Sequence, residues 1–153
     1  MRALELRIPP LALLLLTALL MAMSALVVPA SLLSIPYQTL VACGFAFAGA
    51  ATSILGVLSF RRAGTTVNPL RPDTSSALVG SGVYKLTRNP MYLGFLMLLI
   101  GWGIYLSNAL ALFFVPAFVV YMNRFQIEPE ERALTSRFGQ EFVAYTAQVR
   151  RWL

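Results

Sequence analysis

The sequence contains no histidine and a single cysteine, Cys43, among its 153 residues. Histidine and cysteine are the common protein ligands of zinc and iron, so we expect no centre for either metal, and one cysteine cannot form a disulfide framework. Charged residues make up only 12% of the chain, about half the share of a soluble domain. Because 58% of the residues are hydrophobic, the composition predicts one domain, residues 1–153, in a lipid bilayer.

Two long stretches, residues 11–60 and 91–123, lack Asp, Glu, Lys and Arg. A crossing of the hydrocarbon core needs about 20 apolar residues. The first stretch is long enough for two crossings separated near Pro29 and Pro36, and the second suits a tight hairpin that turns at Ser107-Asn108. The sequence therefore predicts an all-α integral membrane protein with four transmembrane helices. These helices are predicted at residues 11–28, 37–60, 91–106 and 109–123.

The basic residues predict the orientation of these helices. All twelve lie before the first helix, in the loop 61–90 or in the tail 124–153, and four crossings place these three regions on one side. By the positive-inside rule this side is cytoplasmic, as in a bacterial inner membrane. The net charge of +6 then predicts attraction to anionic membrane lipids, with no nucleic-acid partner. The first apolar stretch exceeds the core of a signal peptide, so we expect it to be retained as a helix.

The predicted membrane segments contain no acidic or basic side chain. Proton-coupled transporters and pumps need such groups within the membrane, so this class is disfavoured. Any chemistry is therefore expected at the cytoplasmic interface, in the loop 61–90 and in the tail 124–153.

The sequence at the end of the loop predicts the start of a helix. The function of this segment has two open interpretations. Asn89 is a good N-cap and Pro90 a good first helical residue, and the free backbone amides there would suit a carboxylate or another anion. Alternatively, Arg88 extends to the membrane surface while Tyr84 and Tyr92 belong to an aromatic belt.

The tail carries apolar residues at every third or fourth position, which predicts an amphipathic cytoplasmic helix lying against the bilayer or the bundle. These positions are Leu134, Phe138, Phe142, Tyr145, Val149 and Trp152. Glu130 and Glu131 either complement the helix dipole in its first turn, which the residues alone favour, or bind hydroxyls or an ammonium group of a cofactor. The segment Arg150-Arg151-Trp152 predicts an interfacial anchor.

Several segments of the second half form an ordered pattern. They are Leu78-Val79-x-Ser81-Gly82-Val83-Tyr84, Arg88-Asn89-Pro90-Met91-Tyr92-Leu93-Gly94, Glu130-Glu131-x-x-Leu134 and Phe138-Gly139-x-x-Phe142-x-x-Tyr145. In this order, over residues 64–153, they resemble the isoprenylcysteine carboxyl methyltransferase family and its relatives, the membrane phospholipid N-methyltransferases. The resemblance implies S-adenosylmethionine as the cofactor and a lipidic or prenylated small acceptor that enters from the bilayer.

The resemblance also implies roles for individual residues. The positions that fall where the family binds the cofactor are Ser76, Ala77, Leu78, Val79, Tyr84, Asn89, Pro90, Met91, Tyr92 and Glu130. Glu131 and Arg124 are expected near the acceptor as catalytic residues, and Arg124 and Gln126 as acceptor-binding residues. The tyrosine rings would suit a sulfonium through cation–π attraction.

Three positions depart from the family pattern. Asn89 stands where the family usually has histidine, although Asn-Pro-Met-Tyr occurs among the phospholipid enzymes. Gln126 stands where an arginine is associated with the acceptor, and Phe142 replaces a tyrosine. Since no histidine is present and a carboxylate acceptor needs no general base, we expect methylation of a carboxylate, as in isoprenylcysteine carboxyl O-methylation. The alternatives are a phospholipid-type N-methyltransferase and a non-enzymatic four-helix membrane scaffold.

Overall fold

A computed structural model describes residues 4–28, 35–65, 68, 70 and 75–153. The described residues form helices and no strand, which confirms the all-α class. The α-helices are α1 (Pro10–Val27), α2 (Gln38–Arg62), α3 (Pro90–Leu106), α4 (Ala109–Leu112), α5 (Phe114–Tyr121), α6 (Glu128–Phe138) and α7 (Gln140–Gln148). A 3₁₀ turn, Gly82–Lys85, precedes α3, and a π-helical segment, Met122–Ile127, joins α5 to α6.

Three helical stretches of the described chain are long and apolar enough to cross a bilayer. They are α1, α2 and the run Ala109–Phe138, which contains α4, α5, the π-helical segment and α6. Helix α3 is apolar but has 17 residues. The fourth crossing and the hairpin of the last two spans therefore stay predictions, and Pro29, at the predicted break between α1 and α2, lies outside the described residues.

Small residues allow α2 and α3 to pack closely. A Cβ atom placed on Gly94 of α3 would lie 2.4 Å from the Gly49 carbonyl oxygen and 2.1 Å from the Ser53 Oγ. Glycine at position 94 thus lets the two backbones approach more closely than any larger residue would permit. This contact, with that of Gly56 against Pro90 and Met91, places the second half of α2 beside the start of α3.

A second layer of packing joins α1 to α3 and to the last helical run. Met21, Leu99, Phe118 and Met122 are almost completely buried in one apolar cluster. In a bilayer such burial exchanges lipid contacts for protein contacts, so close packing rather than the exclusion of water stabilises this cluster. Many apolar residues on the outer faces of the same helices are exposed, as contact with lipid requires.

The tail departs from its predicted form. Its first part, α6, continues directly from the last apolar run, so the acidic residues at 128–131 do not open a separate helix. The chain then breaks at Gly139, whose φ of +53° and ψ of −125° suit glycine alone, and α7 follows. The single amphipathic helix predicted for the tail is therefore two helices.

The last residues return to the start of α3. The Arg88 N–H donates to the Arg150 carbonyl over 2.9 Å, and the Asn89 side-chain amide donates to the Arg151 carbonyl over 2.9 Å. Asn89 occupies the N-cap position, but its side chain makes no capping hydrogen bond, so that part of the prediction is wrong. The Trp152 indole donates to the Asn123 side chain over 3.0 Å, so the segment predicted as an interfacial anchor packs against the protein.

Candidate active site

A small cavity lies where the end of α2, the 3₁₀ turn, the start of α3, α6 and α7 meet. Its volume is about 80 Å³. The residues that line it are Phe60, Leu78, Tyr84, Arg88, Asn89, Met91, Tyr92, Glu130, Glu131, Leu134, Phe142 and Tyr145. Aromatic rings, three charged side chains and three aliphatic side chains therefore meet in one place.

One wall of the cavity is a hydrogen-bonded cluster centred on Glu130. The Tyr92 hydroxyl donates to Glu130 Oε1 over 2.5 Å, and the Gln126 amide donates to the same oxygen over 2.5 Å. The Gln126 amide also lies 3.4 Å from the Tyr92 hydroxyl oxygen. Tyr92 is 4% exposed and Gln126 is 2% exposed. This cluster fixes the orientation of a carboxylate in a largely apolar setting, where its interaction with a cation would be strong.

The opposite side of the cavity carries an ion-pair network centred on Glu131. Arg151 binds both Glu131 oxygens, at 3.2 and 2.6 Å, and Arg88 Nη2 lies 3.4 Å from Glu131 Oε1. The Nε of Arg88 is buried and has no hydrogen-bond partner among the described residues. A buried donor of this kind costs free energy unless something binds it, so this N–H is available to an acceptor group.

Aromatic residues form the remaining walls. The rings of Phe60 and Tyr84 meet edge to face with their centroids 5.4 Å apart, and the Tyr145 hydroxyl donates to the Tyr84 carbonyl over 2.7 Å. Burial raises the pKa of Tyr84 far above its usual value and the pKa of Tyr145 to about 12. Both phenols are therefore neutral at physiological pH, and their rings provide uncharged π faces beside the carboxylates.

Most of the residues predicted for the cofactor lie at this cavity. The predicted residues that line it are Leu78, Tyr84, Asn89, Met91, Tyr92, Glu130 and Glu131. Gln126 lies behind Glu130 and binds it. The alternative interpretation of Tyr84 and Tyr92 as an exposed aromatic belt is wrong, since both side chains are buried.

The structure does not bring the other predicted residues to the cavity lining. The Ser76 and Ala77 backbone amides point to the Thr65 hydroxyl, at 2.9 and 3.4 Å. Val79 and Pro90 are buried beside the site without lining it.

Arg124, predicted near the acceptor, lies on another face of the helix. Its guanidinium pairs with Glu128 over 3.0 Å, and 47% of its side chain is exposed. The i, i+4 spacing of these two residues explains the pair, which turns Arg124 away from the cavity.

Sequence reasoning missed several lining residues. Arg88 precedes Asn89 in the motif, and Phe142 and Tyr145 belong to the tail motif, so the pattern itself could have identified these three. Phe60 lies outside every motif and carried no such signal. Arg151 also carried none; it does not line the cavity but binds the lining residue Glu131.

A model of the phospholipid methyltransferase family matches residues 37–141 of the chain. This match covers more than two thirds of the sequence, from the start of α2 into α7, and includes every lining residue of the cavity except Phe142 and Tyr145. The chain belongs to the phospholipid methyltransferase family. Together with the three long apolar helical stretches, this membership identifies an integral membrane protein.

Individual relatives agree with the family. The chain is 46% identical over 63 residues to an uncharacterized protein of Haemophilus influenzae, covering 41% of this chain and 100% of that protein. It is 32% identical over 96 residues to protein-S-isoprenylcysteine O-methyltransferase B of Arabidopsis thaliana, covering 61% of this chain and 47% of the plant protein.

A probable protein-S-isoprenylcysteine O-methyltransferase of Oryza sativa subsp. indica is 34% identical over 98 residues, with 62% of this chain and 50% of that protein covered. The chain thus spans about half the length of the isoprenylcysteine methyltransferases that it matches. No solved structure matches the chain.

Proposed function

We propose that this member of the phospholipid methyltransferase family is an S-adenosylmethionine-dependent methyltransferase that methylates a carboxylate of a lipidic or amphipathic acceptor. The observation that carries the proposal is the oriented Glu130 carboxylate in an aromatic cavity, with the free Arg88 Nε in the same lining. The proposal places the site at the cytoplasmic face of a bacterial-type inner membrane, with four crossings. The basic residues support this orientation.

The chemistry of the cavity fits the cofactor. S-adenosylmethionine, when bound, supplies a methyl group activated by a sulfonium. Glu130 would take its ammonium or a ribose hydroxyl, and the buried Arg88 Nε offers a donor for its carboxylate. The neutral rings of Tyr84 and Tyr92 offer the π faces that attract a sulfonium.

The volume of the cavity is too small for the cofactor unless the cavity widens. Sites for small-molecule ligands usually measure about 300–1,000 Å³, whereas this cavity measures about 80 Å³. Cofactor binding therefore requires the walls to separate. The wall formed by residues 78–89 and the wall formed by α7 are joined by the hydrogen bond from the Tyr145 hydroxyl to the Tyr84 carbonyl, and we expect this bond to break when the cavity widens.

The acceptor chemistry follows from what the cavity provides. A carboxylate is already ionised at neutral pH and needs no base, and the cavity contains no histidine. Leu78, Met91 and Leu134 offer apolar surface for the hydrocarbon part of an acceptor. The contribution of the protein is then to align the two reactants, which by itself can lower the barrier substantially.

A phospholipid-type N-methyltransferase is the second candidate, favoured by the description of the family model. An amine acceptor must lose a proton before it attacks. Glu131 is held by Arg88 and Arg151, so Glu130 would be the carboxylate that receives this proton.

One labelling experiment distinguishes these functions. The purified protein in lipid nanodiscs is incubated with a lipid extract and S-adenosylmethionine that carries a tritiated methyl group. A lipid product that releases labelled methanol in alkali supports the methyl ester, whereas an alkali-stable label supports N-methylation. A non-enzymatic scaffold would give no labelled lipid at all.

Binding of S-adenosylhomocysteine tests the site directly. Replacing Glu130 by alanine removes the carboxylate that we assign to the cofactor, and we expect the affinity to fall by about tenfold or more, as for loss of a charged hydrogen bond. Isothermal titration of the folded, detergent-solubilised protein measures this change. Glu141→Ala is the matched control because Glu141 is exposed on α7. Equal affinities of the two variants would contradict the assignment.

A further inference from the structure

A proline interrupts the helical run that carries the cavity carboxylates. Pro129 lies inside the run Ala109–Phe138 and has no backbone N–H. In a regular α-helix, that N–H would donate to the carbonyl four residues earlier, which belongs to Phe125. The π-helical segment Met122–Ile127 lies at the same place, and such segments recur at functional sites because they rotate the side chains that follow them. Regular α-helical hydrogen bonding is therefore interrupted directly beside the site.

The N-terminal segment donates a hydrogen bond to this carbonyl. The backbone N–H of Leu6 donates to the Phe125 carbonyl over 3.0 Å. Leu6 holds a left-handed backbone with a φ of +55°, an unfavourable conformation for leucine that other contacts must stabilise. One such contact is the ion pair of the neighbouring Glu5 with Arg132, in which the Glu5 side chain is only 16% exposed. We call Glu5 and Leu6 the N-terminal latch.

The latch contacts the helix next to the face that carries the site residues. Phe125 and Arg132 both contact the N-terminal segment, the first through its carbonyl and the second through its guanidinium. Gln126 and Glu130 are four residues apart and share the adjacent face, where both meet Tyr92. A change of the helix at Pro129 would alter the spacing of Gln126 and Glu130, because the break lies between them.

We infer that the N-terminal latch is a positioning element of the active site. Leu6 donates to the Phe125 carbonyl and Glu5 pairs with Arg132. These two contacts hold the helix around Pro129 in the geometry in which Gln126 and Glu130 both meet Tyr92. The latch touches neither the cavity nor a ligand; it acts through the helix. This inference rests on the proposed function for its effect on binding, although its effect on the helix is independent of it.

The first test removes the backbone donor. Leu6→Pro deletes the N–H and cannot adopt a positive φ, whereas Leu6→Gly keeps the N–H and accepts that φ readily. For Leu6→Pro we expect about tenfold weaker binding of S-adenosylhomocysteine in isothermal titration, the usual effect of an unmade hydrogen bond. Leu6→Gly should stay within about twofold of the unchanged protein. Equal affinities of the two variants would overturn the inference.

The second test uses charge reversal at the ion pair. Glu5→Arg places two cations together, and Arg132→Glu places two anions together, so each should weaken binding by about threefold, in line with partly exposed pairs. The double variant Glu5→Arg/Arg132→Glu restores opposite charges and should recover the affinity. Arg7→Gln is the control, because it alters an exposed charge in the same segment. Absence of recovery in the double variant would contradict a positioning role. If Leu6→Pro does not fold, this second test still decides whether the latch positions the site.

A third measurement separates the latch from the proposed function. Hydrogen exchange of backbone amides in residues 122–131, without any ligand, should accelerate by about tenfold in Leu6→Pro and remain unchanged in Leu6→Gly. If the unchanged protein does not bind S-adenosylhomocysteine but shows this pattern, the proposed function fails and the latch stands. If it binds and exchange is the same in both variants, the latch fails and the proposed function stands.

Discussion

The hydroxyl of Tyr92 is the group whose removal tests the site most directly. Tyr92→Phe keeps the buried ring, including its contact with Phe95 at a centroid distance of 6.4 Å, and deletes only the oxygen. That oxygen donates to Glu130 over 2.5 Å and lies 3.4 Å from the Gln126 amide. The substitution therefore leaves Glu130 Oε1 with the Gln126 amide as its remaining partner in this cluster.

The expected magnitude follows from the partners of the hydroxyl. A hydrogen bond to a charged group is worth about 1.5–3 kcal/mol when it is buried. Little cavity is created, because only one oxygen atom is lost, so packing adds little to this value. We expect the free energy of unfolding to fall by about 2 kcal/mol, and the affinity for S-adenosylhomocysteine to fall by about tenfold because Glu130 is no longer held in one orientation.

Tyr105→Phe provides the matched comparison. Tyr105 belongs to the same helix, but it is 55% exposed and its ring stacks on Trp102 at 5.6 Å, a contact that phenylalanine can keep. Unfolding in mild detergent, followed by circular dichroism, measures stability, and isothermal titration measures binding. The reasoning would be refuted if Tyr92→Phe matched Tyr105→Phe in both measurements.

Two further substitutions test the contacts that hold the site in place. Gly94→Ala should lower the free energy of unfolding by about 1–3 kcal/mol because its Cβ would overlap α2. Gly44→Ala should have little effect, since nothing lies within 4 Å of a Cβ there. Unfolding in detergent compares the two variants, and equal stabilities would contradict the packing argument. Arg151→Gln removes a partly exposed pair with Glu131 and should cost about 1 kcal/mol, measured against the exposed Arg150→Gln. If Arg150→Gln costs as much, the docking of the last residues does not depend on that pair.

Much of the helical architecture follows from local sequence. The charge-free stretches predict α1, α2 and α3 to within two residues at each end. These helices can be predicted from local sequence because the hydrocarbon core requires about 20 residues without charge. This requirement depends on no contact with distant residues.

The tail shows why other features could not be read in the same way. Its apolar positions follow a helical period, but the period does not reveal that Gly139 adopts a positive φ and divides the helix. Proline is common at a helix start, yet Pro129 lies within a continuous helical run, and the Leu6 N–H donates to the carbonyl of Phe125, four residues earlier. Both outcomes depend on contacts with distant parts of the chain.

The site itself was predicted only in part. The ordered motifs identified Tyr92 and Glu130, which the structure joins by a hydrogen bond across 38 residues of sequence. They pointed to Arg124 for the acceptor, but helical geometry pairs Arg124 with Glu128 on an exposed face. The arginine that does line the cavity is Arg88, which the start of α3 holds beside Glu131.

The sequence by itself determined that this protein lies in a lipid bilayer and which types of side chain are available for its chemistry. Long runs without charge require a bilayer, and the lack of histidine removes the side chain that most often acts as a general acid or base. Only the tertiary structure decided which of those groups meet. Glu130 and Glu131 are neighbours in sequence, yet successive helical residues point about 100° apart, so one binds Tyr92 and the other two arginines.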